Sequence, residues 1–192
     1  MRYLFPFLAA LTLAVSGAVL VHAQAADKAA NPDLPDFVIC DLRVQEFPAR
    51  TYLYTEQQTT LAQIGPTVGQ MMGKIVQAIG GGEFNVVGPP IFVYDGATGE
   101  MDKPFTLQVG FPVADGTKSD DDELRVRPLE RYRCATVLYS GSMANIGQAY
   151  QRIFPELAQA GLTPVGGSRE MHLYFESPES PNNVVLIQVG VK

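Results

Sequence analysis

Tryptophan is absent from this 192-residue chain, and cysteine and histidine occur only twice each. Without tryptophan, aromatic contacts fall to eight tyrosines and ten phenylalanines. The cysteines, Cys40 and Cys134, lack a CxxC neighbour, and the histidines are His22 and His172. That supply excludes a zinc-ligand pattern and a covalent haem-attachment pattern, so no metal and no cofactor is expected. Positive charge is scarce as well. Fourteen Lys and Arg face 20 Asp and Glu, the formal charge is −6, and no basic run occurs. Such a chain suits neither phosphate backbones nor anionic lipid, so nucleic acid is not an expected partner.

The longest apolar stretch is MRYLFPFLAALTLAVSGAVLVHAQA, Met1 to Ala25. One early arginine, an apolar run and small residues at its end read as a secretory signal peptide over residues 1–23. An uncleaved membrane anchor is the alternative, because the run is long enough for a short span. Cleavage after Ala23 leaves 192 − 23 = 169 residues, enough for one domain with a real core. It also removes Arg2, taking the charge from −6 to −7. The expected location is then periplasmic or extracellular, with no stable membrane span. Residues 24–35, QAADKAANPDLP, read as a flexible tether. An oxidising compartment permits a Cys40–Cys134 bridge, whereas two buried thiols are the other reading.

Residues 36–192 carry an internal repeat. LAQIGPTVGQMMGKI (Leu61 to Ile75) and GSMANIGQAYQRIFPEL (Gly141 to Leu157) register at a shift of 82. Val44 then falls on Val126, Phe47 on Leu129, Ile64 on Ile146 and Gly65 on Gly147. QVGFPV at Gln108 and QVGVK at Gln188 register at a shift of 80. Two halves, 36–113 and 124–192, are joined by an acidic linker, 114–123.

Each half reads β-β-α-β-β. In the first, FVICDLRVQEF and ARTYLYTEQ are strands, and Leu61, Ile64, Val68, Met71, Met72, Ile75 and Ile79 define one helical face. Gly80, Gly81 and Gly82 stop that helix. The second helix, about Met143 to Ala160, presents Met143, Ile146, Tyr150, Phe154 and Leu157. Gly161-Leu162 reads as its cap, and Pro155 as a kink. Strand parity, with aliphatic residues turned toward the helices, places Phe105, Leu107, Val109, Ile91, Val93, Met171, Leu173, Phe175, Val185, Ile187 and Val189 in the core. The opposite face then carries Phe92, Tyr94, Thr106, Gln108, Glu170, His172, Tyr174, Leu186 and Gln188. Rings beside a carboxylate, a histidine and amides suit a pocket for an amphipathic organic ligand; a solvated sheet face is the plainer reading.

The segment GSMANIGQAYQRIFPELAQAGLTPVGG resembles the helix-and-turn signature of the GyrI-like small-molecule-binding domain, found also as the effector-binding domain of AraC-type and multidrug-responsive regulators. Gly141, Ile146, Gly147, Ala149, Tyr150, Gly161, Leu162 and Gly166 carry the likeness. In the first half FPARTYLY, Ile64-Gly65, Gly88-Pro89-Pro90 and Val109-Gly110-Phe111-Pro112-Val113 carry it. The resemblance implies an α+β fold: duplicated β-β-α-β-β units forming one curved antiparallel sheet, two helices on one face and a ligand groove on the other. It also implies lipophilic, often cationic or aromatic ligands, with Glu170 at a position that is often acidic in the second copy. Departures are the missing tryptophan, Leu186 where relatives often carry a carboxylate, and Gly166-Gly167-Ser168 in place of a second Gly-Pro-Pro.

The first functional expectation is an exported, stand-alone sensor, carrier or scavenger of hydrophobic small molecules, with no DNA-reading segment ahead of it. A second is a hydrolase of strained electrophiles, with Glu170 and Tyr94 or Tyr174 positioning water. A third is a SOUL-like haem binder using His172. A fourth is a structural module whose groove takes an apolar peptide.

Overall fold

The computed structural model describes residues 36–192, so the expected signal peptide and tether lie outside the described residues. In chain order the elements are β1 (Phe37–Ile39), β2 (Arg43–Phe47), β3 (Arg50–Thr59), α1 (Ile64–Gly80), β4 (Ile91–Asp95), β5 (Phe105–Val113), β6 (Arg125–Leu129), β7 (Tyr132–Gly141), α2 (Gly147–Gln159), β8 (Pro164–Tyr174) and β9 (Val184–Val191). A short 3-10 turn leads into each helix, Leu61–Gln63 before α1 and Met143–Asn145 before α2. The strands form one curved antiparallel sheet in the order β1-β7-β9-β8-β4-β5-β3-β6, with β2 also pairing β7.

Apolar spacing explains both helices. Met71 and Ile75 of α1 are buried over Leu53, Leu107 and Val109, flanked by Leu61, Ile64, Val68, Met72 and Ile79. Ala149, Ile153 and Leu157 of α2 are buried over Val137, Val185 and Ile187. Each fully buried aliphatic side chain stabilises the fold by roughly 1.5–3 kcal/mol. Phe154, expected on that face, is 48% exposed because the buried stripe runs through its neighbour Ile153. The helix continues through Pro155 and ends at a left-handed Gly161, φ 67°. The Leu162 amide returns to the Leu157 carbonyl at 2.9 Å, and Leu162 packs on the α2 cluster, so the expected glycine cap is present.

The repeat is visible in the register. β3 and β7 are both ten residues long and offset by 82. At the join of β4 and β8, Ile91 pairs with Met171, its own equivalent at the shift of 80. A pseudo-two-fold axis therefore passes through that pair. The first strands are exchanged: β2 of the first half lies on β7 of the second, and β6 of the second lies on β3 of the first.

FVICDLRVQEF proves to be two strands, β1 and β2, separated at Cys40–Leu42. Both cysteines are free, Cys40 exposed and Cys134 buried. The Cys40 amide bonds the Leu138 carbonyl. Cys134 lies four residues further along β7, about 13 Å at the strand rise and beyond disulfide reach. Burial pushes the Cys134 thiol up to about 12. Among the described residues no helix is long and apolar enough to cross a membrane.

Candidate functional site

Residues paired across a sheet share a face. One row runs Thr55, Val109, Phe92, Glu170, Ile187, Val137. Val109, Ile187 and Val137 pack beneath the helices, so Phe92 and Glu170 do too. Tyr94, opposite Leu107, and His172, opposite Val185, join them. This corrects the expectation that Phe92, Tyr94, Glu170 and His172 face away from the helices. Gln108, Leu186 and Gln188 do lie on the far face, in the company of Ile91, Val93 and Met171, which were expected in the helix core.

The physical reason is that the far face is also buried. Tyr52, Tyr54, Ile91, Leu129 and Met171 form a third apolar cluster there, with Phe47, Val93 and Leu186 against it. An aliphatic side chain in β4 or β8 therefore does not mark the helix side. Tyr174 lies past a shift in register after His172 and pairs with Val184, four residues beyond Glu170. Leu173, inside that shift, and Phe175, just past the end of β8, were also expected in the core and are exposed. The eight candidates thus fall into separate groups on opposite faces.

Glu170 is the centre of the helix-side group and is 3% exposed. The Tyr94 hydroxyl donates to its Oε2 at 2.7 Å, and the Tyr150 hydroxyl, coming down from α2, donates to Oε1 at 2.8 Å. Burial first, and then the charge of Glu170, holds both phenols well above their usual pKa, so both remain donors. The His172 ring packs against Phe92 in a tilted arrangement, ring centroids 4.2 Å apart and 42° between the planes. Its Nε2 lies 3.5 Å from Glu170 Oε2, inside ion-pair range. That contact is not a hydrogen bond, and the buried Nε2 has no partner. Among the described residues no lysine or arginine comes within ion-pair distance of Glu170. A carboxylate sealed in this way is costly to keep ionised, because among the described residues its partners are neutral phenol donors and no lysine or arginine.

The group is asymmetric. At the shift of 80, His172 corresponds to Phe92, and Glu170 to Pro90, whose carbonyl accepts from the His172 amide. The two pseudo-symmetric halves therefore present one carboxylate. Tyr150 was read from sequence as a core position of the helix; the unmet signal was that its equivalent at the shift of 82 is Val68, which has no hydroxyl. Two surface cavities lie elsewhere: one of about 220 Å3 between Gln70, Lys74, Glu123 and Arg125, and one of about 510 Å3 between Arg50, Asp115 and Pro128. Neither touches Glu170. Among the described residues no cluster of three or more metal-ligating side chains occurs.

The sequence profile of the GyrI-like small molecule binding domain matches residues 41–192. No curated protein sequence matches the chain significantly. Among solved structures, the chain is similar to the C-terminal domain of EcmrR, at 15% identity and TM-score 0.62, covering 79% of this chain and 97% of that one. Against the EcmrR chain in its DNA complex, the identity is 11% and the TM-score 0.68, covering 92% of this chain and 66% of that one. It is also similar to SAV2435 bound to tetraphenylphosphonium, at 12% identity and TM-score 0.58, covering 80% and 94%. A hydrolase encoded by lin2189 from Listeria innocua shares 12% identity at TM-score 0.52, covering 86% and 98%. At these identities the likeness is one of fold.

Proposed function

Because the chain belongs to the GyrI-like small-molecule-binding family, we propose that its ligand is a hydrophobic organic cation for which Glu170 supplies the counter-charge. The observation that carries this reading is the buried carboxylate with two phenol donors and no cationic partner among the described residues. Tyr94 and Tyr150, which hold Glu170, and Phe92, its partner in register, supply the aromatic surroundings for such a guest. Glu170 is covered, so a ligand reaches it by displacing the Tyr150 side chain, which is only partly buried and stands on α2. SAV2435, a structural neighbour, is bound to tetraphenylphosphonium, a cation of this class.

A thermal-shift titration tests it. Ligand that binds only the folded state raises the melting temperature by mass action. Tetraphenylphosphonium is expected to raise it, and neutral triphenylphosphine oxide to raise it far less. An equal response to both would reject charge recognition.

Export belongs to the same proposal, motivated by the apolar leader and the small residues at Ala23 and Ala25. Mass spectrometry of the protein recovered from its host is expected to find a chain beginning near Gln24; an intact Met1 would contradict it.

One observation favours hydrolysis as a second reading: the unpartnered His172 Nε2 beside Glu170 could hold water against an electrophile. Conversion of a strained probe such as styrene oxide to its diol, lost in Glu170→Gln, would support that reading; no turnover would remove it. The haem reading finds no support, because His172 Nε2 is buried toward Glu170 and the ring is packed on Phe92.

A further inference from the structure

Arg169 and Glu170 are neighbours in β8 and therefore project to opposite faces of the sheet. The far face, where Arg169 lies, has the opposite charge character. The Arg169 guanidinium sits 3.8 Å over the Tyr132 ring. Gly190 leaves the room for this arrangement, since a Cβ there would come within 3.0 Å of the Tyr132 ring. Among the described residues Arg169 has no carboxylate within ion-pair distance. Beside it in register is Gln188, 2% exposed, with a buried Nε2 that has no acceptor.

A second guanidinium approaches from the other side of the same face. Arg127 lies 5.3 Å from the Tyr54 ring centroid and 5.7 Å from that of Tyr52. Its Nη2 donates to Gln108 Oε1 at 2.6 Å, Nη1 donates to the Pro128 carbonyl at 2.9 Å, and Nε is buried without an acceptor. Glu56, the carboxylate paired across from Gln108, is already held by Arg125 and by the Gln108 amide. Burial, reinforced by the charge of Arg127, holds Arg169 below its ordinary pKa, as expected for a cation lacking its anion.

We propose that this face is a second ligand site, for a small amphipathic organic anion. Its carboxylate is taken by the Arg169 fork and the free Gln188 amide, Arg127 adds a second positive charge, and Val93, Met171 and Leu186 bed the apolar part. A planar carboxylate matches the guanidinium fork, and the apolar bed favours an organic acid over an inorganic ion. The site uses neither Glu170 nor the helices, so it stands whether or not the cation reading does.

Calorimetric titration of the purified protein with 2-naphthoate, and with neutral 2-naphthylmethanol of similar shape, tests this. Naphthoate is expected to bind at least about tenfold more tightly than the alcohol, and Arg169→Gln to remove that advantage. Gln188→Leu is expected to weaken naphthoate while leaving the alcohol unchanged. Circular dichroism checks that Arg169→Gln folds; if it does not, Arg169→Lys, which keeps the charge and loses the fork, is expected to weaken naphthoate about threefold or more. Failure of the wild type to bind naphthoate, equal binding of acid and alcohol, or wild-type affinity in the folded arginine variant would overturn the proposal.

Discussion

At the scale of single residues, Glu170 is buried and held by two phenol donors. Each hydroxyl satisfies one carboxylate oxygen, so removing one leaves a buried acceptor short. Tyr94→Phe is expected to destabilise the fold by about 1.5–3 kcal/mol at neutral pH. The pH dependence has a definite sign. Burial, and next the charge of Glu170, raises the native Tyr94 pKa above its ordinary 10.0, so the native state keeps that proton longer than the unfolded chain does. The stabilisation is fully present below about pH 10 and is lost as pH climbs past the unfolded value toward the native one. Urea midpoints at pH 8 and pH 11 should therefore show wild type losing more stability than Tyr94→Phe. Parallel losses would mean that Tyr94 is not held as described. Strand parity grouped Glu170, Tyr94 and Phe92 correctly but assigned them to the wrong face of the sheet. Tyr150 stood out as an apolar-face position of the helix and as part of the family signature, but nothing in a helical period says that its hydroxyl reaches a strand on the sheet below.

At the scale of elements, the repeat was legible because both halves keep the same element order, the Ile-Gly pair at the helix start and the Gln-Val-Gly of the last strand. Gly110 in β5 and Gly190 in β9 are equivalent, and each is forced by close approach. A Cβ on Gly110 would lie 2.1 Å from the Leu53 carbonyl oxygen and 2.8 Å from Tyr54 Cα. Those atoms are backbone and cannot move aside cheaply, so Gly110→Ala is expected to cost about 2–3 kcal/mol. Gly69, inside α1, has open space around its Cβ position, and Gly69→Ala should instead stabilise by about 0.5–1 kcal/mol. Opposite signs in thermal denaturation would support this packing; a harmless Gly110→Ala would contradict the pairing of β3 with β5. Which way β4 and β8 turn their side chains was not legible. Alternation fixes which residues share a face, but both faces here are apolar, so Ile91 and Met171 gave no direction. The break of β1 from β2 was hidden for a related reason, because FVICDLRVQEF reads as one continuous strand.

At the scale of the whole molecule, the exchanged strands join the halves into one unit. β2 completes the second half and β6 the first, while β4 and β8 meet at the pseudo-two-fold axis. Sequence similarity at a shift of 82 identifies which segments are equivalent; it carries no information on which copy they pair with. Near-symmetry brings equivalent positions of β4 and β8 face to face at the central join, and the mismatch of Glu170 with Pro90 leaves one carboxylate there. The proposed selectivity for a cationic guest rests on this carboxylate, the one buried acid among the described residues. The most direct test is calorimetric titration of wild type and Glu170→Gln with tetraphenylphosphonium and with triphenylphosphine oxide. The substitution is expected to weaken the cation by about tenfold or more and the neutral compound by less than about threefold, as loss of a desolvated charge pair requires. Equal weakening of both compounds, or undiminished binding of the cation, would contradict it.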